Sequence, residues 1–218
     1  MKYSIIIPAF NSDQDLLMLL LSMRSKKIAE KSEIIVVDYE STDNTKEIVK
    51  MYGFARLICI DFCSKGKARN EGIKKSTGDV IVNIDSDVEI LDGWFEAMKE
   101  TMNYADIVAG YSPDPLDRQL PRVPIWVDGQ DITFPTCNIA YKRSVLDKVG
   151  LFNEEQDMAE DCELNYRCVK AGYTIAYNPK MKLYHHQRET KRGFIKQAFI
   201  NGKARARLRA LHPEIKVL

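Results

Sequence analysis

Short apolar runs alternate with helix-like segments through the first half of the chain. The runs cover residues 3–7, 33–37, 56–60 and 80–84, and the helix-like segments cover 13–26, 43–52, 67–75 and 93–102. This order is typical of an α/β domain with a mostly parallel central sheet and helices on both faces. Because ligands of such sheets bind beyond the carboxyl ends of the strands, we expect a ligand site in the residues that follow these runs.

The pattern changes after residue 109. Residues 112–136 hold five of the eight prolines, which predicts a long irregular loop of the kind that often forms a lid or a binding loop. Beyond it we expect a strand at 138–141, helices at 144–149 and 159–171, strands near 173–184 and a basic helix at 192–211. With no internal repeat and no linker, the sequence favours one domain covering residues 1–218, with a nucleotide-type first half.

Composition is that of an ordinary globular protein. At 45% apolar residues, 29% charged residues and a net charge of +1, nothing indicates a nucleic-acid partner. The five cysteines form no CxxC pair, so we predict neither a disulfide framework nor a zinc site, and we expect a reduced, cytoplasmic chain. The apolar run at 16–21 is too short to cross a bilayer, and we expect no signal peptide.

Positive charge is concentrated at the C-terminal end. From residue 189 onward eight Lys or Arg stand against two Glu, a net charge of +6 that leaves −5 for the rest of the chain. The predicted helix here has apolar residues on one side and basic residues further on: Phe194, Ile195, Ala198 and Phe199, then Lys203, Arg205, Arg207 and Arg209. Two interpretations remain open: peripheral contact with an anionic inner membrane face, or a solvated end that caps the site.

The segment 83–89, NIDSDVE, ends a buried strand in carboxylates. In an extended chain residues i and i+2 point the same way, so Asp85 and Asp87 can present oxygens to one cation. Such ligands suit Mg²⁺ or Mn²⁺, which also bind substrate phosphates. The alternative is that these residues only stop a strand. We expect Glu89 in the turn beyond, outside the site.

The segment 64–72, SKGKARNEG, precedes that strand and supplies cations for a phosphate-bearing ligand. Arg69 can fork onto phosphate oxygens or pair with a carboxylate such as Asp85. The alternative is a charge on the surface of a helix.

The helix predicted at 159–171 begins with acidic residues. Four of its residues share a face: Asp161, Leu164, Cys168 and Ala171. If that face is buried, Asp161 points into the fold at the first turn, where burial raises its pKa toward the range of a general base. Alternatively, Asp161 only starts the helix, and Glu163 and Arg167 form a solvated pair.

His185 and His186 are adjacent and follow a strand-like run. Alternation allows only one of them to face inward, where it can ligate a metal or donate to phosphate. A structural histidine is the other interpretation.

Taken together, these segments resemble the family 2 glycosyltransferases of GT-A fold. The matching pieces occur in the family's order: SIIIPAFN (4–11), VVDYESTDNT (36–45), GKARNEG (66–72), DSD (85–87), FPTCNIAYKRS (134–144) with VGLFNE (149–154), and ED (160–161). The resemblance implies an inverting enzyme that moves a sugar from a nucleotide-diphosphate sugar to the hydroxyl of a glycan, polysaccharide or lipid-linked acceptor. It also implies a donor-binding half (1–110), an acceptor-side half (111–188) and a basic C-terminal helix (189–218).

The site residues follow from that match and from the residue patterns. We expect contacts with a UDP-sugar or GDP-sugar from Pro8, Phe10, Asn11, Asp38, Tyr39, Lys67, Arg69, Asn70, Asp85 and Ser86. Mg²⁺ or Mn²⁺ would bind Asp87, supported by Asp85 and by His185 or His186. Asp161 would be the general base, and the acceptor would contact Trp126, Asn138 and Glu160.

One departure from the family pattern concerns the base of the nucleotide. The family's second Asp and its Gly in VDDG are Tyr39 and Glu40 here. Asp38 is still a match, while Tyr39 can stack on the base or hydrogen-bond to it, so the base stays open. A non-catalytic nucleotide-sugar-binding module is therefore an alternative. A sugar nucleotidylyltransferase is disfavoured, because the loop 8–13, PAFNSD, has neither glycine nor cation.

Overall fold

The computed structural model describes residues 1–115, 123–156, 158–186, 191–213 and 215, with the side chains of the last helix described from residue 198 onward. The strands are β1 (Tyr3–Ala9), β2 (Glu33–Tyr39), β3 (Ala55–Ile60), β4 (Val80–Ile84), β5 (Val88–Ile90), β6 (Ile107–Tyr111), β7 (Trp126–Val127), β8 (Gln130–Asp131), β9 (Asn138–Lys142) and β10 (Ile175–His185). The helices are α1 (Asp13–Ser25), α2 (Thr45–Tyr52), α3 (Lys65–Lys75), α4 (Trp94–Thr101), α5 (Arg143–Val149), α6 (Glu160–Lys170) and α7 (Lys191–Leu211).

One central sheet runs through the molecule in the order β3-β2-β1-β4-β9-β6-β10-β5. The strands β1 to β4 are mutually parallel, β9 lies antiparallel between β4 and β6, and β10 is parallel to β6. The strands β7 and β8 form a separate hairpin. The expected α/β architecture is confirmed, and the carboxyl ends of β1, β2, β3 and β4 meet along one edge.

Alternation along the buried strands divides the core into two layers. Ile5 and Ile7 pack with the apolar residues of α1 and α4 on one face of the sheet. Ile6 and Val37 pack on the other face with α3, α5 and α6. All seven residues of β1 are buried, which is why that run is almost continuously apolar.

The C-terminal helix packs against the second half of the chain. Leu208 and Ile215 are buried in a third cluster with Ile125, Val127, Ile132, Tyr166 and Val169. Phe199 on the same helix is 64% exposed; Phe194 and Ile195 lie outside the described side chains. Within the described residues no helix has both the length and the apolar character needed to cross a membrane.

Three local expectations need correction. Val88–Ile90 is a strand, so placing Glu89 in a turn was wrong; β5 forms because its residues pair antiparallel with β10. The strands expected near 173–184 are one long strand, β10. The loop expected at 112–136 contains the hairpin of β7 and β8, and its residues 116–122 lie outside the described part.

Glu40, which follows β2, has a strained backbone. Its φ is +73°, a left-handed conformation that costs a residue with a Cβ about 1–2 kcal/mol. We expect Glu40→Gly to raise the free energy of unfolding by about 1 kcal/mol, while Glu40→Ala, which keeps the strain, changes it by less than about 0.5 kcal/mol. Urea unfolding of both variants measures this; a glycine variant no more stable than the alanine variant would contradict it.

Candidate active site

Three side chains that can ligate a metal meet beyond the end of β4. Asp85, Asp87 and His185 each offer one ligand atom, and these atoms all lie within 4.8 Å of one another. The fold brings them together because His185 of β10 pairs with Val88, the residue after Asp87. Two carboxylates and an imidazole are a donor set that fits Mn²⁺ and, more weakly, Mg²⁺.

The charges around this metal cluster (Asp85, Asp87 and His185) are balanced by nearby cations. Burial alone would raise the pKa of Asp85, but Lys65 and Arg69 outweigh burial and hold that pKa well below its usual range. The Lys65 Nζ lies 3.4 Å from Asp85 Oδ2, and 52% of the lysine side chain is exposed. Asp85 is therefore ionised, and Lys65 is a cation that an incoming anion can reach.

His185 and Asp87 lie side by side and form an ion pair when the histidine is protonated. The His185 Nε2 lies 3.3 Å from Asp87 Oδ1. Burial would lower the pKa of His185, but contact with Asp87 and with Cys137 raises it instead. Because a metal ligand must be deprotonated, a divalent cation that binds both side chains would displace a proton from His185.

Arg69 connects this cluster to the start of α6. Its side chain is 1% exposed, with Nη2 2.7 Å from Asp85 Oδ1 and Nη1 2.8 Å from Glu160 Oε1. The interpretation of Arg69 as a surface charge was therefore wrong. Both terminal nitrogens of Arg69 bond to carboxylates. Of the two roles that the sequence allowed for Arg69, the structure therefore shows pairing with a carboxylate and not a guanidinium directed at a phosphate.

Removing the Arg69 guanidinium is expected to destabilise the fold. Arg69→Met removes the buried guanidinium that pairs with the buried Asp85 and the half-buried Glu160, and Asp85 keeps Lys65 as a cationic partner. Removing one partner of a buried pair costs about 3–5 kcal/mol. The matched control on the same helix is Lys74→Met, because Lys74 pairs with Glu71 at 2.9 Å on the surface and should cost less than about 1 kcal/mol. Urea unfolding measures the free energy of unfolding of both variants. Equal losses in the two variants would contradict a larger contribution from the buried ion pairs of Arg69.

Asp161 lies in the first turn of α6, half-buried. Leu164 and Cys168 on the same face are buried, as the sequence pattern predicts. Burial and the neighbouring Glu160 raise the pKa of Asp161 to about 6. A carboxylate with this pKa is ionised at neutral pH yet basic enough to accept a proton from a hydroxyl group.

The pair of Glu163 and Arg167 is not solvated, contrary to one of the two interpretations. Glu163 is 5% exposed, and Arg167 Nε lies 2.8 Å from its Oε1. Arg167 also donates to the carbonyl oxygens of Val149 and Leu151. These bonds tie α6 to the last residue of α5 and to the segment that follows it.

The ends of β1 and β2 form the other side of the site. Asn11 has a left-handed φ of +47°, its N–H donates to Ser41 Oγ at 2.9 Å, and its Oδ1 accepts from the N–H of Thr42 at 2.8 Å. Asp38 is 1% exposed; its Oδ1 accepts from the N–H of Ser41 at 3.3 Å. Its Oδ2 has no hydrogen-bond partner in the described part of the chain, and leaving such a buried acceptor unpaired is costly.

The model of the family "Glycosyl transferase family 2" matches residues 4–126. The chain belongs to glycosyl transferase family 2. The pre-mycofactocin glycosyltransferase of Mycobacterium tuberculosis is 27% identical over 237 residues, covering 97% of this chain and 48% of that protein. The chain spans about half the length of the curated relatives it matches.

Two solved structures are similar in fold. S. aureus TarS in complex with UDP-GlcNAc has a TM-score of 0.72 and 23% identity, covering 88% of this chain and 60% of that chain. The mannosyltransferase PcManGT from Pyrobaculum calidifontis, in complex with GDP-Man and Mn²⁺, has a TM-score of 0.75 and 20% identity, covering 100% and 66%. These likenesses confirm the expected GT-A fold.

Several residues that the family 2 resemblance assigns to ligands have structural partners instead. Asn70 is 2% exposed; its amide donates to the Phe152 carbonyl oxygen at 2.9 Å. Asn138 is 1% exposed and bonds to Trp94 and to the carbonyl of Met181. Both side chains therefore have a structural use within the fold.

The remaining assigned residues lie at different depths. Pro8 is buried within β1, Lys67 is exposed, and Ser86 Oγ donates to Ser12 Oγ at 3.1 Å. Trp126 is 54% exposed. The His186 ring lies 3.3 Å from Glu89 Oε2 and does not belong to the metal cluster.

Sequence reasoning missed two residues that this family 2 fold places at the site. Lys65 lies in the segment 64–72, whose pattern does not separate it from its neighbours. Its approach to Asp85 depends on the tertiary packing that brings the start of α3 next to the residue after β4. Phe62 follows β3 and is 63% exposed. Phe62 could have been identified from the sequence, because it is an aromatic residue directly after a predicted parallel strand, where ligands of such sheets bind.

Proposed function

We propose that this chain transfers a sugar from a nucleoside-diphosphate sugar to an acceptor hydroxyl, with inversion at the anomeric carbon and with a divalent metal. The observation that carries the proposal is the metal cluster at the end of β4, joined through Arg69 and Glu160 to Asp161. The ion pairs of Arg69 with Asp85 and with Glu160 would hold the proposed cation site and the proposed base in a fixed relation to each other.

The diphosphate of the donor would lie at the metal cluster. Asp85, Asp87 and His185 would hold Mg²⁺ or Mn²⁺, which neutralises charge on the departing nucleoside diphosphate. Lys65 adds a positive charge that can turn to the phosphate oxygens, since its side chain is half exposed. Asn11 and Asp38 would contact the ribose or the base.

Asp161 would act as the general base. Its carboxylate takes the proton of the acceptor hydroxyl while the hydroxyl oxygen forms a bond to the anomeric carbon. The bond from that carbon to the diphosphate oxygen breaks on the opposite face, and the electron pair leaves with the nucleoside diphosphate. A single displacement of this kind inverts the anomeric configuration.

The acceptor is a hydroxyl of a glycan, a polysaccharide or a lipid-linked molecule. It would approach between Glu160 and the exposed ring of Trp126, whose indole can stack on a sugar.

The Arg205 guanidinium donates to the Val123 carbonyl, and Arg207 donates to the Glu155 carbonyl at 2.9 Å. These contacts support the cap interpretation of α7; peripheral membrane contact and a cytoplasmic location stay predictions.

The base assignment predicts a pH dependence. Only the ionised form of Asp161 accepts a proton, and its pKa is raised to about 6. At saturating donor and metal, the transfer rate should be flat above about pH 7 and should fall about tenfold per pH unit below pH 6. Initial rates between pH 5 and 8 measure this. A rate that rises toward pH 5 would contradict a carboxylate base.

A thermal-shift screen tests the proposed function without knowledge of the acceptor. UDP-sugars and GDP-sugars are added with Mn²⁺ or with EDTA. At a donor concentration of about 100 times Kd, binding stabilises the folded chain by about 2.7 kcal/mol, and Tm should rise by several degrees. The rise should require Mn²⁺. No shift with any donor would count against the proposal.

A further inference from the structure

Three aromatic rings meet where β1, β2 and β3 end. The rings of Phe10 and Tyr39 stack, with centroids 5.3 Å apart and an interplanar angle of 18°. Phe62 meets Phe10 edge to face, with centroids 5.3 Å apart and an angle of 65°. We call these three residues the aromatic corner.

Exposure differs sharply within the aromatic corner. Tyr39 is 7% exposed, Phe10 37% and Phe62 63%. Phe10 therefore covers Tyr39. The sequence suggested that a base could stack on Tyr39, but in the structure Phe10 and Phe62 are the exposed rings on which a base could stack. Phe62 presents most of its ring to solvent at a ligand-binding edge of the sheet, where an apolar surface has a functional use more often than elsewhere.

The aromatic corner is next to the charged end of the site. Lys65 begins α3 three residues after Phe62, and its Nζ lies 3.4 Å from Asp85 Oδ2. Burial raises the pKa of Tyr39, and the charge of Lys65 acts against that rise. The order along this edge is apolar ring, cation and metal cluster. A nucleoside diphosphate has its flat base at one end and its diphosphate at the other, so the base would lie at the aromatic corner and the diphosphate at Lys65 and the metal cluster.

We propose that Phe62, with Phe10 beside it, is the platform on which the donor's nucleobase stacks, and that it favours guanine or adenine over uracil. This inference rests on the proposed function and names the nucleotide class. A base stacked on an aromatic side chain gains about 1–3 kcal/mol without base-specific hydrogen bonds. A purine covers more of a phenyl face than a pyrimidine does, and the gain grows with the area that is covered.

Calorimetric titrations of the full chain with GDP, UDP and pyrophosphate, each with Mn²⁺, test this. The unchanged protein should bind GDP several-fold more tightly than UDP. Phe62→Ala should weaken GDP binding by about tenfold to a hundredfold. Phe62→Tyr, which keeps the ring, should restore binding to within about threefold. The matched control is Tyr104→Ala. Tyr104 is also an exposed aromatic residue, with 75% exposure, but it precedes β6 and so lies at the end of the sheet where β6 begins, opposite the carboxyl ends of the parallel strands.

Pyrophosphate separates this inference from the proposed function, because it has no base to stack. Its affinity should be the same in Phe62→Ala as in the unchanged protein. If pyrophosphate binds but Phe62→Ala leaves GDP affinity unchanged, or if UDP binds more tightly than GDP, the stacking inference is overturned and the donor site stands. If neither pyrophosphate nor any nucleotide binds with Mn²⁺, the proposed function fails and the inference fails with it.

Discussion

Replacing Asp161 with Asn is expected to lower kcat for sugar transfer by about 10²–10⁴-fold while donor affinity stays within about threefold of the unchanged protein. The asparagine has nearly the same shape but cannot accept the proton of the acceptor hydroxyl. Donor affinity is preserved because the metal cluster and Lys65 lie on other elements. Transfer rates at saturating donor, together with calorimetric titration of the donor, measure the two quantities separately.

The structure offers a matched control for this variant. Asp147→Asn makes the same substitution on α5 at an exposed carboxylate, and it should leave kcat unchanged. The residual rate of Asp161→Asn should also lack the fall below pH 6, because the titrating group is gone. Full activity in Asp161→Asn would remove the base assignment, and an equal loss in Asp147→Asn would point to an indirect effect.

Replacing Asp87 with Ala is expected to remove metal-dependent donor binding and to lower transfer by about 10²–10³-fold, since a metal contributes several kcal/mol to charge stabilisation. The variant leaves His185 without its carboxylate partner and leaves two of the three potential ligands. The comparison with Asp161→Asn is informative, because that variant should lose transfer while keeping donor binding.

Asp92→Ala is the control for Asp87→Ala. The Asp92 side chain is 89% exposed and pairs with Lys26 on the surface, so its loss should change stability by less than about 1 kcal/mol and should not affect donor binding. Wild-type donor affinity in Asp87→Ala with Mn²⁺ present would contradict the metal assignment.

Much of the fold could be predicted because local patterns determine it. The runs that became β1, β2 and β4 are buried on both faces, and such strands are apolar along their whole length. The positions of Asp85 and Asp87 were predictable for the same reason, since a polar segment directly follows a buried strand. The family resemblance adds Asp161, whose helix position the sequence pattern also indicates.

The partners of these residues could not be predicted, because they depend on contacts between distant parts of the chain. Arg69 and Glu160 are 91 residues apart, and no periodicity shows that a buried guanidinium joins them. Asn138 matches a family motif, but only the packing of β9 against Trp94 and β10 shows that its amide is used within the core. The strand β5 was missed because three residues become a strand only when β10 lies beside them.

Release of nucleoside diphosphate from nucleotide sugars tests the central claim most directly. The protein is incubated with UDP-sugars and GDP-sugars in Mn²⁺ together with a panel of glycan and lipid-linked acceptors. The nucleoside diphosphate released as the sugar moves to an acceptor hydroxyl is measured over time, with Asp87→Ala as the reference. The donor-site account predicts release from at least one donor, suppressed by EDTA and reduced by about 10²–10³-fold in Asp87→Ala. Release that is insensitive to EDTA and equal in both proteins, or no release from any donor by the folded chain, would contradict it.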